Sequence, residues 1–386
     1  MNAKTSRMMF ALLRSAASST LLTDDEKALY NEAMLPEMEA VSKKHDVISI
    51  LALGLKKNGL LNDENKSIEA EMSKAVYRYI KSEYELENIC NALETAKVSF
   101  IPLKGSVIRK YYPEPWMRTS ADIDVLIHGT DIERAKLYLS ENLKYKYAGT
   151  NEYDVSFYTA GGCHIELHFN LMEDDLVSSA AAVLENVWDT AVEHTGCDYW
   201  YEMSDELFYY YHIAHMAKHF VIGGCGIRPF IDLYILNHKF NFDKEKCNLL
   251  FARGGLTDFA KAAELLSEVW FNNAEHTDIT YRMQEYILCG GVYGTHENHL
   301  MVQQRKLGGK FEYILYKIFI PYKELKKLYP ILEKHRWLTP AMEIRRWFRH
   351  IFVWRLKRAK TELECNNSVS EDAAKNIKKL FENIGL

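Results

Sequence analysis

What this 386-residue sequence lacks narrows it first. It has no Cys-x-x-Cys pair: its seven cysteines, at 90, 163, 197, 225, 247, 289 and 365, are scattered and odd in number. That usage argues against a disulfide framework or a structural zinc knuckle and fits a reducing compartment. Long hydrophobic runs are missing too. VISILALGL at 47–55, the longest after the first helix, is far below bilayer-spanning length. The opening MNAKTSRMMFALLRSAASST imitates a signal peptide, but its apolar run from Met8 to Leu13 is closed by Arg14. An amphipathic first helix is expected there, and the chain reads as soluble and cytoplasmic. No fixed-period repeat, low-complexity tract or RNA-binding module signature occurs.

What is present is an ordinary globular composition, 48% hydrophobic and 26% charged, with core material for two or three domains. A net charge of −5 conceals an asymmetry: residues 305–360 hold sixteen Lys/Arg against four Glu, leaving −17 on the rest. Such a split suits an anionic partner, or simply the solvated face of amphipathic helices. Within it, RRWFRHIFVWRLKRAK (345–360) interleaves aromatic and basic residues near helical spacing. That stretch suits RNA, an anionic glycolipid surface or a nucleotide. The plainer reading is a helix that packs its Trp/Phe stripe and exposes Arg/Lys.

Residues 5–96 read as helices. TDDEKALYNEAMLPEMEAVSKKH opens with an N-capping Thr23 and first-turn acids, and KSIEAEMSKAVYRYIKSEYELENICNALETAK keeps apolar residues near helical spacing. LNDENKS (61–67) separates them. The segments VSFIPL (98–103), DIDVLI (122–127), KYKYAG (144–149), VSFYTA (155–160) and CHIELHFNL (163–171) then read as strands. SVIRKYY after Gly105 and DIERAKLYLSEN (131–142) interrupt them as helices. From 173 onward helices return, broken at GGCG (223–226), at Gly-Gly pairs and around Pro340, with NNSVSEDAAK (366–375) as a loop before a last helix. The expected fold is α+β. A small mixed sheet in 98–172 lies between an N-terminal helical segment (1–97) and a large C-terminal helical domain (173–386).

Chemistry concentrates in IPLKGSVIRKYYPEPWMRTSADIDVLIHG (101–129). Alternate residues of a strand share a face, so Asp122 and Asp124 project side by side, ~7 Å apart, while Ile123, Val125 and Ile127 face the core. Adjacent carboxylates on a core strand repel unless a cation sits between them. A divalent metal answers that need, because Mg²⁺ prefers carboxylate oxygens and completes its shell with phosphates and water. Glu166, in HIELHF, is a third acid between apolar residues, and His168 shares its face. Three carboxylates on neighbouring strands would suit a two-metal phosphoryl or nucleotidyl transfer site, with metals ~3.5–4 Å apart. Upstream, Lys104-Gly105-Ser106 follows a strand and opens a helix, where a tight turn and backbone N–H groups attract phosphate. Lys104, Arg109 and Arg118 are cations within reach.

In this order the motifs resemble the DNA polymerase β-like nucleotidyltransferase superfamily. They are more closely similar to a bacterial family of uncharacterised nucleotidyltransferases. The resemblance rests on Leu103-Lys104-Gly105, Tyr112-Pro113, Arg118, Asp122-Ile123-Asp124 and Glu166-Leu167-His168. It is strong over 98–170 and looser through HIAHMAKHFVIGGCGIRPFIDL and YKELKKLYPILEKHRWLTP. Two departures stand out: fifteen residues separate Ser106 from Asp122, and Lys104 precedes the Gly where an apolar residue is usual. The link VIRKYYPEPWMRTSA must therefore bulge. The resemblance implies Asp122 and Asp124 as metal ligands, and Glu166 as a ligand or base, with Mg²⁺ as cofactor and Mn²⁺ as its substitute.

His212, His215 and His219 lie on one helix face. Zinc is one reading. A polar face toward the nucleotide, with Lys218 or His219 touching phosphate or base, is another, and buried hydrogen-bonded histidines a third. Arg228 and Asp232, at i and i+4, are expected to staple a helix after Pro229, while the resemblance offers Arg228 as a substrate ligand. The expected activity is Mg²⁺-dependent transfer of a nucleoside monophosphate from a nucleoside triphosphate, ATP among the candidates. The acceptor hydroxyl belongs to a sugar or small molecule, a protein or an RNA, and pyrophosphate is released. Lys104, Gly105, Ser106, Arg118, His168, Lys218, His219 and Arg228 are the expected nucleotide contacts. The alternative is a non-catalytic nucleotide- or nucleic-acid-binding protein on the same fold.

Overall fold

In the computed structural model, residues 1–63, 65–172, 178–290, 315–316, 318–352 and 371–386 are described. The fold is α+β, as expected. Five helices come first: α1 (Ala3–Ser18), α2 (Asp24–Leu29), α3 (Leu35–Lys44), α4 (Ile48–Lys57) and α5 (Glu69–Thr95). The long helix expected from Thr23 onward is divided: Thr23 caps α2 through a reciprocal capping box with Glu26, and a 3₁₀ turn at Glu32–Met34 leads into α3. The apolar run at 47–55 is the buried helix α4, seated so close to α1 that a Cβ at Gly54 would run into the Leu12 carbonyl.

All five strands form: β1 (Phe100–Pro102), β2 (Asp122–Ile127), β3 (Lys146–Thr150), β4 (Asp154–Tyr158) and β5 (His164–His168), in the order β1-β2-β5-β4-β3. β2 and β5 are parallel neighbours and the other pairings are antiparallel. Parallel pairing demands a crossover, which α6 (Gly105–Ile108) cannot supply and α7 (Ile132–Glu141) with β3 and β4 does. One sheet face carries Ile123, Val125, Ile127, Ile165 and Leu167 and packs on Leu86, Ile89 and Leu93 of α5 and Ala135 and Leu139 of α7. The opposite face carries the acids.

The chain continues through α8 (Ser178–Leu184), a two-stranded ribbon of β6 (Val192–Glu193) and β7 (Tyr201–Glu202), α9 (Asp205–Ile222), α10 (Arg228–Lys239), α11 (Lys244–Arg253), α12 (Thr257–Phe271) and α13 (Asp278–Gly290). The ribbon corrects the purely helical reading after 173; two-residue strands leave too little alternation to detect. Helices α1 and α4 share one core with α9, α10 and α12, and Phe10 stacks on Trp270 at 4.3 Å between ring centroids. The C-terminal half of α5, from Leu86 to Leu93, packs on the sheet instead, while Met72 near its start packs on the helical core. Residues before the sheet and residues after it thus contribute to the same hydrophobic core.

The basic segment is described in part. Helix Thr339–Phe352 buries Arg346 against Glu343 at 2.8 Å and leaves Phe348 exposed, so its basic and aromatic sides are not cleanly sorted. Residues 353–360 of the aromatic-basic stretch lie outside the described residues, as do the Gly-Gly pair at 308 and most of 366–375. The expected last helix is present at Glu371–Asn383. Among the described residues no helix is long and apolar enough to cross a membrane.

One buried group makes stability depend on pH. His45, at the end of α3, is fully buried, and neither ring nitrogen has a hydrogen-bond partner. The Leu288 backbone nearby favours the charged form, but less than burial disfavours it. Burial pushes its imidazole down from 6.5 to about 4. As pH falls from 6.5 toward 4, the unfolded chain takes up a proton that the folded chain refuses. Stability is therefore lost across that window, by about 3 kcal/mol in all. Urea midpoints at pH 7 and pH 4.5 should differ less for His45→Leu than for the unmodified chain; equal differences would refute the assignment.

Candidate active site

The site is built where β1 turns into α6. Leu103 donates its N–H to the Asp124 carbonyl (3.0 Å) and Ser106 donates to the Leu103 carbonyl (3.1 Å), closing a four-residue turn. Lys104 sits in that turn at φ 47°, ψ −119°, a conformation that favours glycine. Gly105 follows in a tight place: a Cβ there would lie 3.2 Å from Arg118 Nη1 and Ser120 Oγ. The turn aims the Lys104 side chain back across the sheet, where its ammonium meets Asp124 Oδ1 at 2.8 Å.

Parallel pairing sets Asp124 opposite Glu166 and Asp122 opposite His164. All four side chains, with His168, project from the same face because each strand alternates. His168 Nε2 lies 2.7 Å from Asp124 Oδ1 and 3.3 Å from Glu166 Oε2, and His164 Nδ1 lies 3.6 Å from Glu166 Oε1. Burial by itself would raise the carboxyl of Asp124, but Lys104 and His168 hold it well below the usual range. Asp122 is pushed up, by burial first and then by the negative charge of Asp124, with Lys104 pulling the other way. Burial disfavours the charged forms of Lys104 and His168; their carboxylate partners outweigh it and raise both.

Among the described residues, two groups of potential ligands have donor atoms within 4.8 Å of one another: Asp122, His164 and Glu166, and Asp124, Glu166 and His168. Glu166 joins them. The donor set fits a divalent cation of the Mg²⁺ or Mn²⁺ kind: it is mainly carboxylate oxygen, and Asp122 feels a repulsion that a dication would relieve.

Facing the sheet across a cavity of about 340 Å³ are α9 and α10. α9 contributes Phe208, Tyr211, His212, His215, Met216 and His219, a stripe at helical spacing, and Lys218 also reaches the lining. His212 is tied to the Pro229 carbonyl (2.9 Å), and the His215 and His219 rings meet edge to face at 4.4 Å. Burial lowers all three, His219 to about 4, so they are neutral near pH 7. Among the described residues none of the three joins a metal-capable group, which leaves the zinc reading without support.

The model of a family described as uncharacterised nucleotidyltransferase matches residues 35–272, more than half of the chain. The chain belongs to that family. No curated protein and no solved structure matches it.

In this member of the nucleotidyltransferase family, several cations expected at the substrate are engaged by the protein itself. Arg118 lines the cavity, but its Nε donates to both carboxylate oxygens of Asp232, at 2.7 and 2.9 Å, and its Nη1 to the Thr119 carbonyl. Arg109 holds the turn through the Gly105 carbonyl (2.9 Å) and Ser120 Oγ (2.8 Å). The Arg228–Asp232 staple does not form. Arg228 Nη1 reaches Asp46 at 2.6 Å, leaving its buried Nε without a partner beside the cavity. A charged partner in the turn between α3 and α4 outcompetes the neighbour one turn away. Ser106 turns from the acids to line a second cavity of about 220 Å³ with Trp200 and Tyr111. α6 is a single turn, because the long link spends its residues on 3₁₀ turns at Arg109–Tyr111 and Pro115–Met117. Ser120, at the far end of that link, takes the place beside Gly105.

Sequence reasoning passed over His164, Ser120, Asp154, Asn170 and Tyr211, which all line the cavity or join its ligand groups. His164 carried a signal: it stands two residues before Glu166 on the same strand, just as His168 stands two after. Tyr211 carried one as well, being one residue before His212 and four before His215 on the same helix.

Proposed function

We propose that this chain is a divalent-metal-dependent nucleotidyltransferase that moves a nucleoside monophosphate from a nucleoside triphosphate to an acceptor hydroxyl. The observation that carries the reading is the meeting of Asp122, Asp124 and Glu166 on adjoining parallel strands, open to a cavity walled by α9 and α10. Asp122, Asp124 and Glu166 would hold Mg²⁺ or Mn²⁺, which when bound lowers the pKa of the attacking hydroxyl and neutralises charge on the pyrophosphate.

The chain's own residues do the rest. Lys104, Lys218, His219 and Arg228 stand around the cavity as donors to phosphate and base. Gly105 lines the cavity that the triphosphate would enter. Phe208, Tyr211 and Met216 give the cavity apolar walls that limit water. Glu166 is the base we assign to the acceptor: its carboxylate takes the hydroxyl proton as oxygen bonds to the α-phosphorus and the bond to pyrophosphate breaks. A sugar or small molecule, a protein side chain and an RNA 3′ end all fit that chemistry.

Calorimetric titration with each of the four common triphosphates, with and without Mg²⁺, tests the reading. One triphosphate should bind only with the metal, and the Asp122→Ala/Asp124→Ala variant should lose that binding. Metal-independent binding that survives in the variant would favour a non-catalytic nucleotide-binding protein. A triphosphate that binds nowhere, even with cell extract supplying acceptors, would remove the donor role.

A further inference from the structure

We propose that Lys104 and the metal compete for one oxygen of Asp124, so that metal and triphosphate enter the site as a mutually dependent pair. This deepens the nucleotidyltransferase reading and rests on it.

Lys104 Nζ and His168 Nε2 both approach Asp124 Oδ1, at 2.8 and 2.7 Å. Asp124 is only 4% exposed, so a cation seeking that oxygen must displace a group already there. His168 is the poorer candidate to leave. It is fixed on β5 in register with Leu126, and its nitrogen also meets Glu166. Lys104 has a flexible four-carbon stem, and the backbone that carries it is held by the two hydrogen bonds of its turn. The ammonium can therefore move while its origin stays.

Where it moves decides the coupling. A dication arriving alone would take the carboxylate oxygen that neutralises Lys104 and leave the displaced ammonium in the cavity without its anionic partner. Burial makes such uncompensated charge costly. A triphosphate removes the cost by giving Lys104 a new anionic partner within the cavity. Metal binding alone is thereby weak, and metal and triphosphate each strengthen the other by the same factor, as linkage requires.

The test measures Mn²⁺ alone, by the electron paramagnetic resonance of the free ion, on the full chain and on Lys104→Met, Lys104→Gly and Lys104→Arg. Glycine adopts the φ of 47° without strain, so Lys104→Gly keeps the turn even if the methionine variant folds poorly. Both neutral variants should bind Mn²⁺ about tenfold tighter than the unmodified chain, while Lys104→Arg, which keeps the competing charge, stays weak. Equal Mn²⁺ affinity in all four proteins would overturn the competition while leaving the metal site, and the transferase reading, intact. If no protein takes up Mn²⁺ beyond what a free triphosphate chelates, with or without that triphosphate, both ideas fall.

Discussion

Asp124→Asn should reduce transfer of a labelled α-phosphate from the bound triphosphate to acceptors in a cell extract by about a thousandfold. The charge stabilisation attributed to metals in such sites is several kcal/mol, and each 1.36 kcal/mol is tenfold in rate. Asparagine keeps the shape but removes the charge on which Lys104, His168 and the proposed cation all depend. Asp122→Asn and Glu166→Gln should fall to a similar level, because residues that act as one constellation are not additive. Thermal melting of each variant separates lost chemistry from lost fold. An Asp124→Asn protein that melts normally yet keeps a tenth or more of the transfer would show that Asp124 does not serve the reaction.

The second large effect falls on stability and comes from outside the acid cluster. Asp232 is 0% exposed and accepts from Arg118 Nε and from the Tyr112 hydroxyl, the latter at 2.6 Å. Asp232→Ala leaves a buried guanidinium without its counter-charge, and the loss should be about 3–5 kcal/mol in urea unfolding. Replacing both partners by apolar residues, Arg118→Met with Asp232→Leu, should recover most of that loss, since no charge is then stranded. A loss under about 1 kcal/mol for Asp232→Ala would show that the pair is solvent-accommodated. The same pair gives acid sensitivity of definite sign. Burial alone would raise the carboxyl of Asp232, but Arg118 holds it below its ordinary 3.8. Its stabilising contribution is complete above that value and is lost as pH falls through the lower folded one.

Local patterns carried much of this protein on their own. Alternation along DIDVLI set Asp122 and Asp124 on one face and Ile123, Val125 and Ile127 on the other, and the same rule linked Glu166 to His168. Those are properties of a single strand, fixed by backbone geometry within a few residues. Helical spacing likewise grouped His212, His215 and His219, and the five strands and the α+β plan were legible from periodicity.

Partners distant in sequence were not legible. That β2 lies beside β5 in parallel, with Asp124 opposite Glu166, depends on a crossover through three intervening elements. Arg118 meets Asp232 across 114 residues and Arg228 meets Asp46 across 182, and no local pattern tells a cation that binds substrate from one that binds another part of the chain. Ser106 shows the same limit. Its place after Gly105 in the turn was plain, but which of two cavities it faces follows from how the long link folds back. Residue type and spacing decided which groups could do chemistry. Tertiary packing decided which of them face the cavity and which are neutralised within the protein, because a buried charge takes the nearest partner in space, whatever its distance along the chain.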